Sequence, residues 1–248
     1  MQKIYFNTKP EKNLGQNFLL NKSFVEKLLK YLKKDENILE IGPGKGFITE
    51  DILKKTHNIT CIEKDERLIP LLVNKFPKIE IINTDILKYN LETIPYLNFS
   101  LISALPYYIS KDIISLFLKN KIRANNIYVI LQKEVAEKYS TPGEKLYNTL
   151  RIYAENVEKG DLIKKDNFYP IPKVDSQIIY IKNIYKYNKE QKEFEGFINR
   201  GFSNPRKKLS NVLVNFNLDK FKDKRAQDLM FEDWKYLFSL NQIHFDKI

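Results

Sequence analysis

The chain has 248 residues, enough for one large domain, or a large one with a small appendage, around a sizeable core. Its 43% hydrophobic and 29% charged content is that of an ordinary globular protein; no run of 18 apolar residues and no signal-peptide core occurs, so it reads as cytoplasmic, without a membrane span. The net charge of +11 is less ordinary: clustered Lys and Arg bind phosphate backbones, so a polyanionic partner stands beside simple lysine bias as an explanation.

Residues 1–13 read as a polar, basic arm. Asn21 then N-caps a helix whose Phe24, Val25, Leu28, Leu29 and Leu32 share one face. Ile38–Ile41 is a first strand, and three glycines at alternate positions, Gly42, Gly44 and Gly46, follow it. An amphipathic helix is expected over Phe47–Lys55, then a strand, Ile59–Ile62, that ends in the acid Glu63. Asp65 caps a helix carrying Leu68, Leu71 and Leu72, in which Pro70 is tolerated only in the first turn or at a kink. Ile79–Ile82 and Phe99–Ile102 are further strands, running into Asp85 and into Ser103–Tyr108.

A helix over Ser110–Lys119, a strand over Ile127–Leu131 and a helix from Lys133 continue the rhythm. This alternation predicts a doubly wound, mainly parallel α/β sheet, whose ligand lies beyond the carboxyl ends of the strands. The glycine turn, Glu63, Asp85 and Ala104–Tyr108 all occupy those ends. Thr141–Gly143 forms a loop, and Leu146, Leu150 and Tyr153 mark a helix after it. Two prolines keep Phe168–Val174 from being helical, and Ser176–Lys182 alternates as a closing strand. Beyond about Asn183 only helical patterns remain, such as Phe231-Trp234-Leu237-Phe238, so a small all-helical domain is expected over 184–248 after an α/β domain over 1–183.

Cys61 is the only cysteine, which excludes an intrachain disulfide and a cysteine zinc cluster; in an apolar strand it reads as a buried, inert thiol. His57 and His244 lack partners that would suggest a metal or a nucleophile relay, and no metal is expected.

Glycines let a backbone approach a nucleoside cofactor closely, and a carboxylate about 20 residues on accepts ribose hydroxyls. The Gly-x-Gly-x-Gly spacing with Glu63 ending the next strand resembles the S-adenosylmethionine site of class I methyltransferases. Asp85 suits either a cofactor adenine's amino group or a helix N-cap. The Leu105-Pro106-Tyr107 corner offers a stacking face and a backbone acceptor to a flipped base, or is a plain structural turn. Phe168 is an opposite wall or a core aromatic.

The motifs together are more specific. Gly15-Gln16-Asn17-Phe18-Leu19, Glu40–Gly46, Leu105-Pro106-Tyr107, Gln132–Ala136, Pro142-Gly143 with Tyr147, Pro172–Ser176, Arg206–Leu209 and Arg225–Leu229 resemble the ribosomal RNA adenine N6,N6-dimethyltransferase family, in order and over nearly the whole chain. Of its two branches, the small-subunit housekeeping type is the better match, by the Pro-Gly segment and Arg225-Ala226-Gln227-Asp228-Leu229.

The resemblance implies a Rossmann-like sheet with helices on both faces, S-adenosyl-L-methionine as cofactor, and N6-dimethylation of two adjacent adenosines near the 3′ end of small-subunit rRNA. It implies a monomer acting on a pre-ribosomal particle. Asn17, Leu19, Gly42, Gly44, Glu63, Asp85 and Ala104 would line the cofactor, Tyr107 and Phe168 would sandwich the target adenine beside Leu105, and Arg206, Lys207 and Lys208 of the helical domain would contact rRNA or form a solvated helix face.

Ala104 departs from the family's usual Asn-Leu-Pro-Tyr, Tyr108 stands where Asn is frequent, and Pro205 replaces a usual arginine. Loss of one preorganised acceptor costs on the order of 10²–10³ in rate. This departure opens a different reading, a ribosome-assembly factor that methylates slowly or not at all. A mitochondrial transcription factor and a large-subunit resistance enzyme are two further possibilities.

Overall fold

Near-continuous runs of Ile, Leu and Val suit strands buried on both faces, and they fix the centre of this molecule. The computed structural model describes residues 9–245; most of the N-terminal arm, residues 1–8, lies outside them, as does the side chain of His244. A short strand, β1 (Phe18–Leu19), precedes α1 (Lys22–Leu28), which Asn21 caps as expected. Then come β2 (Ile38–Ile41), α2 (Thr49–Ile52), β3 (Ile59–Glu63), α3 (Ile69–Lys75), β4 (Glu80–Asn83), β5 (Ser100–Ala104) and α4 (Ser110–Leu118). The chain continues through β6 (Asn126–Gln132), α5 (Lys133–Ser140), α6 (Lys145–Tyr153), β7 (Ala154–Ile163), β8 (Phe168–Tyr169) and β9 (Ser176–Ile184). It ends in α7 (Lys189–Gly201) and α8 (Phe231–Phe245).

Seven strands form one sheet in the order β4-β3-β2-β5-β6-β9-β7, parallel from β4 to β6 and antiparallel at β9 and β7. The chain winds outward from β2 to β4, then crosses back to lay β5 on the other side of β2. That reversal opens a crevice at the carboxyl ends of β2 and β5, where open α/β sheets bind ligands.

Alternation along each strand supplies both faces. Ile38, Ile102, Tyr128 and Ile130 pack with Val25 and Leu28 of α1 on one side. Leu39, Leu101, Ile127 and Val129 pack with Ile113 and Phe117 of α4 on the other. Each such side chain, fully buried, contributes about 1.5–3 kcal/mol. The second cluster also contains Phe194, Phe197, Trp234 and Phe238, so the helical segment shares its core with one face of the sheet. Asn188 and Gln191 start α7 with a reciprocal capping box.

Three expectations need correction. The helix expected over Phe47–Lys55 is α-helical only at Thr49–Ile52. Asp51 N–H reaches back three residues to Ile48, and Lys55 N–H three to Ile52, so tighter turns replace its flanks. The ten-residue β7 is unforeseen: an edge strand rich in Glu, Lys and Asp, with its register shifted between Lys159 and Leu162, has no clean apolar period. Arg206, Lys207 and Lys208 lie in an exposed turn after α7, not on a helix, in line with Pro205 just ahead of them. Pro70 sits in the first turn of α3, where its missing N–H costs nothing.

Candidate active site

The carboxyl ends of β2, β3 and β5 and the loop after β4 meet the N-terminal strap 14–20 and β8 around a cavity of about 390 Å³. Asn17, Leu19, Gly42, Gly44, Glu63, Asp85, Ala104, Leu105, Tyr107 and Phe168 all line it. Ten positions spread over more than 150 residues of sequence are thus brought to one place. Arg206, Lys207 and Lys208 are not among the lining residues; they sit on an exposed surface, where Lys208 pairs with Asp223 at 2.9 Å.

Glu63 organises the floor. Gly44 N–H donates to its Oε2 at 3.0 Å and Asp65 N–H to its Oε1 at 2.8 Å, so both oxygens are aimed before any ligand arrives. Burial pushes its carboxyl above the usual range, against those two hydrogen bonds. The turn needs glycine at position 44: φ is +60°, and a Cβ would stand 3.0 Å from the Phe18 ring. Asp65 is held in turn by Arg67 through two donors, at 2.8 and 2.6 Å, and by Gln16 Nε2 at 2.7 Å.

Asp85 is a helix cap, and it also lines the cavity. Its Oδ1 accepts from Leu87 N–H at 3.0 Å as a cap, and its Oδ2 pairs with Lys64 at 3.0 Å at the cavity edge. Burial pushes this carboxyl up, but Lys64 and Leu87 more than offset it and the net direction is down.

The corner after β5 is rigid. Leu105 N–H donates to Ile130 carbonyl at 3.3 Å, and Ser103 Oγ, turned away from the cavity as alternation predicts, donates to Ile41 carbonyl at 2.5 Å. Tyr107 hydroxyl and Ser176 Oγ share a hydrogen bond of 2.7 Å, which fixes the ring angle; burial raises the phenol above its ordinary value. Phe168 is buried and pairs in register with Leu19, so the far wall is tied to the strap.

Sequence reading gave no role to two groups. Gln16 accepts from Glu11 N–H at 2.8 Å while it holds Asp65, and so anchors the strap to the end of β3. Glu40 lies under the glycine turn, fully buried, accepting from Thr49 Oγ1 at 2.7 Å with Cys61 Sγ at 3.6 Å. An acid inside an apolar strand was the visible signal for it. Burial pushes its carboxyl to about 7, the Thr49 bond opposing.

A carboxyl with a raised folded pKa binds its proton more tightly in the native state, so stability falls as pH rises from 4.5 to about 7 and then levels. This one group takes away on the order of 3 kcal/mol across that window. Glu40→Gln, neutral at every pH, is expected to lack that fall. Urea unfolding of both proteins at pH 4.5 and pH 8 tests it; parallel losses in the two would refute the assignment.

Comparison with known proteins agrees with this geometry. A family profile described as ribosomal RNA adenine dimethylase matches residues 7–233. The ribosomal RNA small subunit methyltransferase A of Mycoplasma capricolum is 36% identical over 229 residues, 86% of each chain. The protein of the same name from Clostridium botulinum strain Okra is 33% identical, over 87% of this chain and 83% of its own. Among solved structures, the 23S rRNA methyltransferase ErmE superposes with a TM-score of 0.77 at 23% identity, over 91% of this chain and all of its own. A dimethyladenosine transferase from Plasmodium falciparum gives 0.76 at 21% identity, over 93% and 98%. Both superpositions bear out the class I methyltransferase fold. With its profile match nearly end to end and relatives above 30% identity, the chain belongs to the ribosomal RNA adenine dimethylase family.

Proposed function

We propose that this protein transfers methyl groups from S-adenosylmethionine to N6 of two adjacent adenosines near the 3′ end of small-subunit rRNA. The supporting observation is one cavity in which the cofactor-type residues after β2 to β4 face the base-wall residues Tyr107 and Phe168. The residues present fit the cofactor. Around Gly42, with φ +64°, nothing stands within 4 Å of where a Cβ would be, and Glu63 and Asp85 present carboxylates to the same space. When bound, S-adenosylmethionine supplies an activated methyl group on a sulfonium.

The rest is positioning and electrostatics. Glu63, braced by two backbone donors, accepts ribose hydroxyls; Asp85 accepts from the adenine amino group; Asn17 and Leu19 close the strap over the nucleoside. Tyr107 and Phe168 flank the target base, and the Leu105 carbonyl accepts from its N6 amine. Dimethylation requires room for one methyl group already added, and the small side chain of Ala104 leaves it.

Residues 184–248 serve as an rRNA-binding domain in this reading, with Arg206, Lys207 and Lys208 against phosphates. The partner is a pre-ribosomal small-subunit particle, met by a monomer in the cytoplasm. No helix among the described residues is long and apolar enough to cross a membrane. The relatives' names do not favour an assembly factor, a transcription factor or a large-subunit enzyme.

The test is methyl transfer from labelled cofactor to small-subunit particles that lack the modification, read by mass spectrometry of the rRNA. Two dimethylated adenosines side by side are the expected product. Label in large-subunit rRNA alone, or none, would overturn the reading.

A further inference from the structure

The cavity has a second, outer pair of aromatic rings that the mechanism above leaves unused. Two dipeptides supply both pairs: Tyr107-Tyr108 after β5 and Phe168-Tyr169 in β8. In each, the first ring turns inward and the second outward. Phe168 is 3% exposed and Tyr107 partly buried, whereas Tyr108 and Tyr169 are 55% and 51% exposed. All four line the same cavity, so the outer two stand at its mouth.

Tyr108 is seated on the strap, and Tyr169 is tied to it through the backbone. Gly15, at φ +63°, leaves space that Tyr108 fills; a Cβ there would lie 3.1 Å from the ring. Tyr169 stands opposite Phe18 in the β1–β8 ladder. Two large aromatics half in water at one opening present an apolar surface for a partner. With the target base inside, the group that must lie at the mouth is the next nucleotide of the same strand.

We infer that Tyr108 and Tyr169 form a stacking platform for the nucleotide adjoining the flipped adenosine, holding single-stranded RNA across the cavity mouth. The inference rests on the proposed RNA substrate. Aromatic stacking accepts any base, because every base has a π-face, so this pair sets position without reading sequence. It also suits a reaction on two neighbouring adenosines: while one is inside, the other rests on the platform.

The experiment measures steady-state methylation of unmodified small-subunit particles, with cofactor affinity measured separately by calorimetry. Tyr108→Ala and Tyr169→Ala are each expected to raise KM for the particle by about 5- to 100-fold, the usual loss for one stacked base. Cofactor Kd should stay within about twofold, and Tyr→Phe at either position should restore wild-type KM, because the ring carries the contact. An unchanged KM in both alanine variants, a Phe variant as poor as Ala, or a parallel loss of cofactor affinity would each overturn the platform. If the wild-type protein methylates no particle at all, the proposed substrate fails first, and the platform with it.

Discussion

Glu63→Ala is expected to weaken S-adenosylmethionine binding by on the order of 10²–10⁴-fold, since hydrogen bonds to a charged acceptor are worth about 1.5–3 kcal/mol each and a ribose offers two hydroxyls. The loss has a second source. Gly44 and Asp65 donate to the two oxygens at 3.0 and 2.8 Å, and without a carboxylate both N–H groups face a hole in a buried wall. The glycine turn then loses the contact that aims it. Glu63→Gln should rescue little: its oxygen can satisfy one of these donors, but its NH₂ must meet the other donor head-on. Titration calorimetry with the cofactor and with its demethylated product reads the effect. Affinity within about threefold of wild type in the alanine variant would remove Glu63 from the site, as such a loss is under 1 kcal/mol. Acidification offers an independent check. Because burial raises this carboxyl, binding should begin to fail at a higher pH than an exposed glutamate would dictate.

The parts of the site that sequence revealed are those written in backbone chemistry. Alternate glycines, an acid closing the next strand and a proline corner each constrain local conformation, and local conformation is what single-sequence patterns encode. Central strands were equally plain, because burial on both faces leaves unbroken runs such as Ile127–Leu131. What stayed hidden was tertiary. Nothing in Gly15–Leu19 announces that Gln16 will reach Asp65, 49 residues on, or that Leu19 will pair with Phe168. The polar edge strand β7 was invisible because water, not a core, faces much of it. The basic residues 206–208 read as rRNA contacts or a solvated helix face because only helical patterns stand out after Asn183, whereas α7 stops at Gly201 and the chain turns.

Ala104→Asn is expected to raise kcat, by up to on the order of 10²–10³-fold, the worth of one preorganised acceptor at a reacting centre. Position 104 ends β5 and its side chain lies on the opposite face from Ser103, whose hydroxyl is spent on Ile41 carbonyl at 2.5 Å. It therefore lines the cavity, half-buried, next to a corner fixed by the bond from Leu105 to Ile130. The side chains of this corner do not replace the missing amide: Leu105 is apolar, and Tyr107 hydroxyl is engaged with Ser176 at 2.7 Å. In the proposed mechanism the Leu105 carbonyl is the acceptor at this corner. A carboxamide oxygen at 104 would add a second, orienting the amine's lone pair instead of only holding the base. Such a contact acts when the amine reacts, so it should appear in kcat with cofactor Kd little changed; equal gains in binding and turnover would mean uniform binding instead. Ala104→Ser, which is too short to reach, should stay near wild type. If the Asn variant turns over no faster, geometry at the Leu105 carbonyl already suffices, and the family's asparagine is dispensable on this scaffold.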